Sequence, residues 1–448
     1  MADPILHLAR ITIETLSHLS LRTGADSSGN ELPIVTDASG LPAIPGTVLA
    51  GACKRCCCRT SEHQAPIPAF SWAHIHNSRD IPVDGLDHER LWQRDPLLAT
   101  FFLRDLPRRG QIRLGERCSA VQRVRFEYPA IQPGHRFTFE MSLRGTDGRE
   151  LSSRWDQVKT ALVAGDFRLG AAISTGYGSI RVKRLAEARL DLRNPKDFQA
   201  YALHPRRLDQ ASELLRERPA HHEDHGEHWL ALTLFLQADD FWRCGGGNTP
   251  LLSSAGWGSD ALPLTEERIV WTGGAGRIAK QQVVLPASVI KGALAHRTAF
   301  HHNRLSGQFA GNAENPGKPT DNPAVWHLFG HVDSASGATR AGGVRIDDVT
   351  VEKPIAAKMV HNSLDRFTGG VREGVLFTEE ALLGQSLSVK IRVDRCIWES
   401  ATESIRRAFR TAIDDLIDGR LALGASASRG LGFFQGQVVM DELGATSP

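Results

Sequence analysis

Two short motifs recur in the same order, one pair in each half of the chain, and this constrains the fold more than any other feature of the sequence. The first reads Ile44-Pro45-Gly46-Thr47-Val48-Leu49-Ala50-Gly51-Ala52 and returns without a gap as Leu285-Pro286-Ala287-Ser288-Val289-Ile290-Lys291-Gly292-Ala293. The second reads Leu169-Gly170-Ala171-Ala172-Ile173-Ser174-Thr175-Gly176-Tyr177-Gly178 and returns as Leu423-Gly424-Ala425-Ser426-Ala427-Ser428-Arg429-Gly430-Leu431-Gly432. Internal self-similarity is the mark of a repeated structural unit, so each half is expected to fold around its own core.

The local chemistry of the motifs says what those units contain. In the first motif a proline at the turn opens a helix, and Thr47 or Ser288 is expected to cap its first turn. The second motif follows a helical pattern that ends in Gly165 or Gly419 and leads into a short alternating strand. Each half also begins with a strand rich in β-branched and aromatic residues, Ile5 to Ser20 and Trp229 to Leu236. Strand, helix, central strands, helix, glycine-rich turn and closing strand make a βαββαβ order. The expected class is α+β: two tandem ferredoxin-like (RRM-like) units with hairpin and loop insertions, over residues 1–187 and 229–448. Residues 188–228, with the polar run from His221 to His228, are expected to link them, and Gly307 to Pro323 to form an insertion in the second unit.

Composition narrows the setting. A chain of 448 residues, 41% hydrophobic and 23% charged, is globular in balance. Its N-terminus lacks a basic segment followed by a long apolar run, and no stretch of about 18 apolar residues runs unbroken, so a cytoplasmic protein without membrane contact is expected. Seven cysteines, four of them at Cys53, Cys56, Cys57 and Cys58, fit reduced thiols better than a disulfide framework. Cys53-x-x-Cys56-Cys57-Cys58 has a zinc-like spacing, but a helix points the last three in different directions, so a structural zinc is discounted in favour of small buried thiols. The net charge of +2 says little about partners. Arginine greatly outnumbers lysine, and a guanidinium binds phosphate bidentately and stacks on bases, which leans toward nucleic acid.

The helix start from Ile44 to Gly51, the closing glycine-rich loops and the segment His361-Asn362-Ser363-Leu364-Asp365-Arg366-Phe367-Thr368-Gly369-Gly370 resemble the RAMP proteins of CRISPR systems. Within that superfamily they are most similar to the backbone subunits of type III effector complexes. The segment from Asp365, followed by Gly374-Val375-Leu376-Phe377 and a glutamate pair, is the most specific of the three, and the first unit has no counterpart of it. The resemblance implies ferredoxin-like units that track along a guide RNA, hairpins that kink the guide–target duplex, and a role in antiviral defence. It implies as partners the guide RNA, a complementary target RNA and other CRISPR effector subunits.

Several residues suit such a role physically. A helix N-terminus is a ready phosphate site, and Ser288 stands at one of them. Lys54, Arg55 and Arg59 in the first unit, and Lys291 and Arg297 in the second, follow the helix starts. Gly176 and Gly178, or Gly430 and Gly432, would let RNA backbone approach main chain, with Tyr177, Phe433 or Phe434 as stacking faces and Arg366 and Arg429 as phosphate contacts. The alternative is that these glycines shape tight turns and the aromatics fill the core. Arg104 to Arg125 is strongly basic and fits either a phosphate backbone or a solvated face in salt bridges to other subunits.

Cleavage chemistry follows from the resemblance. In the backbone family one aspartate before the Ile-Pro-Gly helix supports cutting of target RNA with Mg2+ or Mn2+, the attacking group being the RNA's own 2′-hydroxyl. The first unit has Glu31 at that place, with Asp26 nearby as a substitute; the second keeps Asp260 shortly before Leu262-Pro263, which makes Asp260 the first choice for catalysis and metal binding. The structural alternative for Asp260 is a loop aspartate that caps a turn. Thr272-Gly273-Gly274-Ala275-Gly276-Arg277 is expected as a hairpin turn, and this hairpin as the protruding element that splays a target nucleotide. Two further readings stay open: a non-catalytic guide-RNA scaffold, and a metal-independent guide-processing endoribonuclease using a histidine such as His18, His296 or His301.

Overall fold

The computed structural model describes residues 3–22, 34–57, 66–85, 90–114, 120–165, 167–219, 228–252, 258–308, 321–332, 337 and 339–443. The first half is built on β1 (Ile5–Thr15), α1 (Gly46–Cys57), β2 (Ala69–Phe70), β3 (Ala73–Ile75), β4 (Arg108–Leu114), β5 (Ala120–Pro129), β6 (Arg136–Gly145), α2 (Gly148–Val163) and β7 (Ile180–Asp191). Its alternating, β-branched first strand lies at the sheet centre. β1 pairs antiparallel with β6, Ile5 opposite Gly145, and with β7, Ile5 opposite Asp191, while β3 pairs with the far side of β6. The order across the sheet is therefore β3-β6-β1-β7. α1 and α2 bury Leu49, Ala52, Leu151, Trp155 and Val158 in the same core as Ile11, Ile13, Phe137 and Phe139. α2 starts at Asp147, whose carboxylate accepts from the N–H groups of Arg149 and Glu150 at 2.8 and 3.2 Å, and is followed by Gly165 at φ +75°.

The stretch expected as a linker is folded for much of its length. It begins inside β7, continues as α3 (Pro195–Ala202) under an Asn194 cap, and adds β8 (Arg216–Arg218) to the edge of the first sheet, Arg218 opposite Leu185. The cause is apolar: Leu6, Leu190 and Leu192 form a small cluster that Tyr201 and Leu214 cover. Most of the polar histidine run, and residues 309–320 of the expected insertion, lie outside the described residues.

The second half repeats the plan with β9 (Trp229–Ala238), β10 (Phe241–Trp242), β11 (Thr265–Thr272), β12 (Ala275–Leu285), α4 (Ala287–Leu305), β13 (Val344–Ile346), β14 (Val349–Val351), β15 (Ala356–His361), β16 (Phe377–Leu383), β17 (Ser386–Asp394), α5 (Glu403–Ile417) and β18 (Phe434–Asp441). β9 is central, antiparallel to β17 and β18, and β13 pairs with the far side of β17, so the order β13-β17-β9-β18 matches that of the first sheet. Both central strands slip register against the closing strand, between Thr12 and Ile13 in one and Thr233 and Leu234 in the other. α5 is capped by Thr402 and followed by Gly419 at φ +70°. Its Ile405, Phe409, Ala412 and Leu416 share one core with Ile290 and Leu294 of α4, over the sheet. Both halves thus carry two helices on one sheet of the same strand order.

Candidate nucleic-acid interface

The two glycine-rich turns have one geometry. Ala172 and Ser426 take left-handed φ of 55° and 62°, a single 3-10 turn follows, and Gly176 and Gly430 return at φ 98° and 88°. Leu169 N donates to Gly178 O at 3.0 Å, and Leu423 N to Gly432 O at 2.8 Å. Each turn is held to the end of its first strand segment: Ala171 N donates to Ser20 O and Ala425 N to Arg243 O, both at 2.8 Å. A Cβ on Gly178 or Gly432 would run into the carbonyl of Leu169 or Leu423, so these two glycines shape the turn itself.

The surroundings of the turns differ. The first is covered by the second half: a Cβ on Gly176 would stand 2.7 Å from Ala287 Cβ and 2.8 Å from Asp348 Oδ1, and Tyr177 is buried. Lys291 does not face solvent. It is buried, its Nζ donates to Ser174 O at 2.9 Å and Val344 O at 3.2 Å, and burial pushes its ammonium down to about 7, with Arg345 adding to the shift. Asp348 Oδ1 accepts from Ala287 N at 2.8 Å, so a carboxylate of the chain itself caps α4. Ser288 lies inside the helix, where its helical backbone cannot serve as a cap, and lines a cleft of about 790 Å³ between the halves. Arg109, from the basic segment, reaches across to Asp348 at 2.8 Å and Glu266 at 2.6 Å. His18 is buried beside it; burial, then Arg109, hold its imidazole well below the ordinary value. These parts of the first turn and of α4 form a joint between the halves rather than a surface.

The hairpin of β11 and β12 belongs to the same joint. Its Gly273-Gly274 turn has both φ positive, as a two-residue turn of this hand requires. Instead of protruding, it lies on the first half: Trp271 Nε1 donates to Gly134 O at 2.8 Å, Ile269 N to Pro133 O at 2.9 Å, and Gly276 N to Ser78 O at 2.8 Å. Arg136 stacks over Trp271, 4.2 Å from the ring centre. The expected nucleotide-splaying hairpin is a clasp, because its unpaired backbone groups find partners in the first half.

The second turn is open. Gly430 is exposed with nothing within 4 Å of where a Cβ would stand, and Arg429 beside it is half-exposed. Arg429 lies over Phe377, 4.7 Å from the ring centre. Sequence reasoning placed the aromatic elsewhere, but Phe434 is fully buried against Trp242. Beneath Arg429 sits Glu379, which is 0% exposed and also meets Arg243 Nε at 2.9 Å and His361 Nε2 at 2.6 Å. Burial raises the Glu379 carboxyl, and Arg243 with His361 more than reverses that, so it is held below its ordinary value. Between β15 and β16, Asp365 Oδ1 accepts from Phe367 N and Thr368 N at 2.9 Å each and fixes a turn that leaves Arg366 exposed and Phe367 98% exposed.

Asp260 is exposed, and its Oδ2 accepts from Thr378 N at 2.7 Å and Thr378 Oγ1 at 3.2 Å. Side chains alternate along a strand, so Thr378 and Glu380 face away from Phe377 and Glu379. Glu380 accordingly holds the loop that carries Asp260, taking Leu251 N at 2.8 Å and Ser259 Oγ at 3.4 Å. Asp260 and the Arg429 group therefore occupy opposite faces of β16. Lys54 and Arg55 are exposed in the last turn of α1, roughly 12 Å along the axis from its start, which separates them from the helix N-terminus. Arg297 is paired with Asp415 of α5. Cys53 and Cys57 are buried and Cys56 is half-buried, none of them in a disulfide, and Cys58 lies outside the described residues. Glu31, Asp26 and Arg59 lie outside the described residues. Among the described residues no three His, Cys, Asp or Glu side chains are grouped to hold a metal ion, and no helix is long and apolar enough to cross a membrane.

Residues 230–435 match the sequence model of the RAMP superfamily, which gives the second half a RAMP superfamily domain. No curated protein matches the chain. Among solved structures, a chain described as "Type IV-B CRISPR Complex" is similar at 16% identity and a TM-score of 0.32, over 49% of this chain and 94% of that one.

Proposed function

We propose that this chain is an RNA-binding backbone subunit of a CRISPR effector complex, of type III, made of two tandem ferredoxin-like RAMP units. The observation that carries this reading is the open second turn, where Gly430 leaves room for a polynucleotide backbone next to Arg429, inside the stretch that matches the superfamily. The guide RNA would run over this turn, with Arg366 on the neighbouring projection as a further phosphate contact. The first turn carries no RNA in this reading, since the second half covers it.

Cleavage of a complementary target RNA is assigned to Asp260. Thr378 fixes the orientation of its carboxylate through two hydrogen bonds, which leaves the second oxygen to hold a Mg2+ or Mn2+ ion. Such an ion, when bound, supplies positive charge against the phosphate during attack by the 2′-hydroxyl. The role of the protein is alignment of RNA against that carboxylate. The same hydrogen bonds favour a second reading, a scaffold that only holds RNA, because they are what a turn-capping aspartate makes.

Sequencing the RNA that copurifies with the protein tests the main reading; repeat-derived guides are expected, and random cellular RNA would count against it. In the purified complex with magnesium, complementary RNA should be cut, and Asp260→Ala should abolish cutting while leaving guide binding intact. Intact target after tight binding by the unsubstituted complex would leave the scaffold reading standing.

A further inference from the structure

The two sheets present unlike outer faces. Leu230, Leu232, Leu234 and Leu236 of β9 belong to the core under α4 and α5, and side chains alternate along a strand, so Thr233, Phe235 and Gln237 point to the opposite side of the second sheet. Strand pairing puts Ser388 of β17 and Gln437 of β18 on either side of Phe235, Lys390 and Met440 on either side of Thr233, and Ser386 and Gln435 on either side of Gln237. Phe235 is 42% exposed in the middle of this face, and Gln237, Ser388, Lys390 and Gln437 are exposed around it. Phe235 stands two residues past the register slip of its strand, the place that Glu14 holds in the first half. There Glu14 is buried between Arg136 at 3.0 Å and Arg181 at 2.7 Å, and Trp271 of the clasp lies against Arg136. The first face is thus closed by ion pairs and by the chain itself, while the second offers an open aromatic ring in the same position.

A single ring set among hydroxyl, amide and ammonium groups does not suit a protein partner, which needs a continuous apolar area at the centre of its contact. It suits an unpaired nucleobase, whose flat face stacks on an aromatic ring and whose edge both donates and accepts hydrogen bonds, as serine and glutamine side chains do. Charge orients such a strand. Lys390 and Arg345, the latter 3.9 Å over the Trp229 ring, bring positive charge to one end of the face, and the exposed Asp239 and Asp240 bring negative charge beyond the other. We propose that the outer face of the second sheet is a contact for single-stranded RNA separate from the Gly430 turn, in which Phe235 stacks one unpaired base, Ser388 and Gln437 meet its edge, and Lys390 takes an adjoining phosphate. A duplex hides the faces of its bases, so the platform takes single strands. The inference rests on the RNA-binding reading for the nature of the polymer, and it engages other residues on another surface.

The test uses the full chain freed of copurified nucleic acid and a labelled single-stranded RNA of mixed sequence without self-pairing, read by fluorescence anisotropy. Loss of one stacked base weakens binding about 5- to 150-fold, so Phe235→Ala should lose affinity in that range while Phe235→Trp keeps it. Lys390→Ala should lower the slope of log K against log salt by about 0.7, the share of one phosphate on a single strand. An abasic strand of equal length should bind the unsubstituted and Phe235→Ala proteins alike, because neither complex then has a base to stack. Unchanged affinity of Phe235→Ala for the RNA, or an equal loss with the abasic strand, overturns the platform and leaves RNA binding at the Gly430 turn in place. A change in sedimentation of the free protein caused by Phe235→Ala would assign the face to a second copy of the chain and likewise overturns it. Absence of RNA binding by the unsubstituted chain overturns both readings. Equal melting temperatures of the variants exclude loss of fold as the cause, and Lys390→Ala, on the same face, carries the test if Phe235→Ala does not fold.

Discussion

Gly176 and Gly430 occupy the same place in two turns of one shape, yet a methyl group should cost differently at each. Both lie at left-handed φ, so alanine carries a backbone penalty of about 1–2 kcal/mol in either turn. At Gly176 the new Cβ also meets Ala287 and Asp348, and overpacking adds about 1–3 kcal/mol, whereas Gly430 faces open space. Urea denaturation should place Gly176→Ala below Gly430→Ala in stability; equal midpoints would show that the first turn is not pinned by the second half. Lys291 makes a second residue-scale prediction. Its folded value of about 7 lies below the ordinary 10.5, so between those values the unfolded chain binds more protons and stability rises with pH. That contribution is present above the unfolded value and lost as pH falls through the folded one. Lys291→Met should flatten the rise relative to the unsubstituted protein, by a few kcal/mol across the window, about 1.4 for each pH unit. Parallel stability curves for the two proteins would place the lysine in solvent.

At the scale of elements, the β11–β12 hairpin shows what local sequence can and cannot tell. Its existence was legible, because two glycines between strand-like runs have few other uses. Its role was not, because Trp271 finds Gly134 O and Arg136 only after two segments far apart in sequence have met. Trp271→Ala should loosen the clasp by about 3 kcal/mol, at the lower end for a large aromatic that is only partly buried, and should speed proteolysis at Gly273-Gly274. An unchanged cleavage rate would mean that the hairpin detaches freely without the ring. The same distinction divides the candidate site. Helix starts, the closing glycines at Gly165 and Gly419, and both glycine-rich turns follow from nearest-neighbour backbone rules. The cap on α4 comes from Asp348, and the Glu379 group from four separate segments, so no window of sequence contains either. His361 and the glutamate pair stood within the segment that carried the resemblance, but only strand pairing shows that one glutamate turns toward His361 and the other toward the Asp260 loop.

For the whole molecule, the decisive fact is that two similar halves meet through unlike surfaces. The first offers its glycine-rich turn, Arg109 and Arg168; the second answers with the start of α4, Glu266, Asp347 and Asp348. Burial raises the Asp347 carboxyl, but Arg168 and then Arg392 hold it down at about 2, below the ordinary 3.8. Its folded value is depressed, so its contribution is complete above the unfolded value and is lost as pH falls from about 4 toward 2. A joint of largely buried, paired charges couples the halves, because removing one partner leaves the other poorly solvated and unpaired, at a cost of up to about 3–5 kcal/mol. Calorimetry near neutral pH should therefore show one unfolding transition for the unsubstituted chain. Arg109→Ala, which leaves Glu266 and Asp348 without their shared guanidinium, should split it into two, since each half keeps its own helices and sheet core. Two transitions already present in the unsubstituted protein would mean that the halves are joined by the chain but not by the interface, and the covering of the first turn, on which its exclusion from RNA binding rests, would then be only transient.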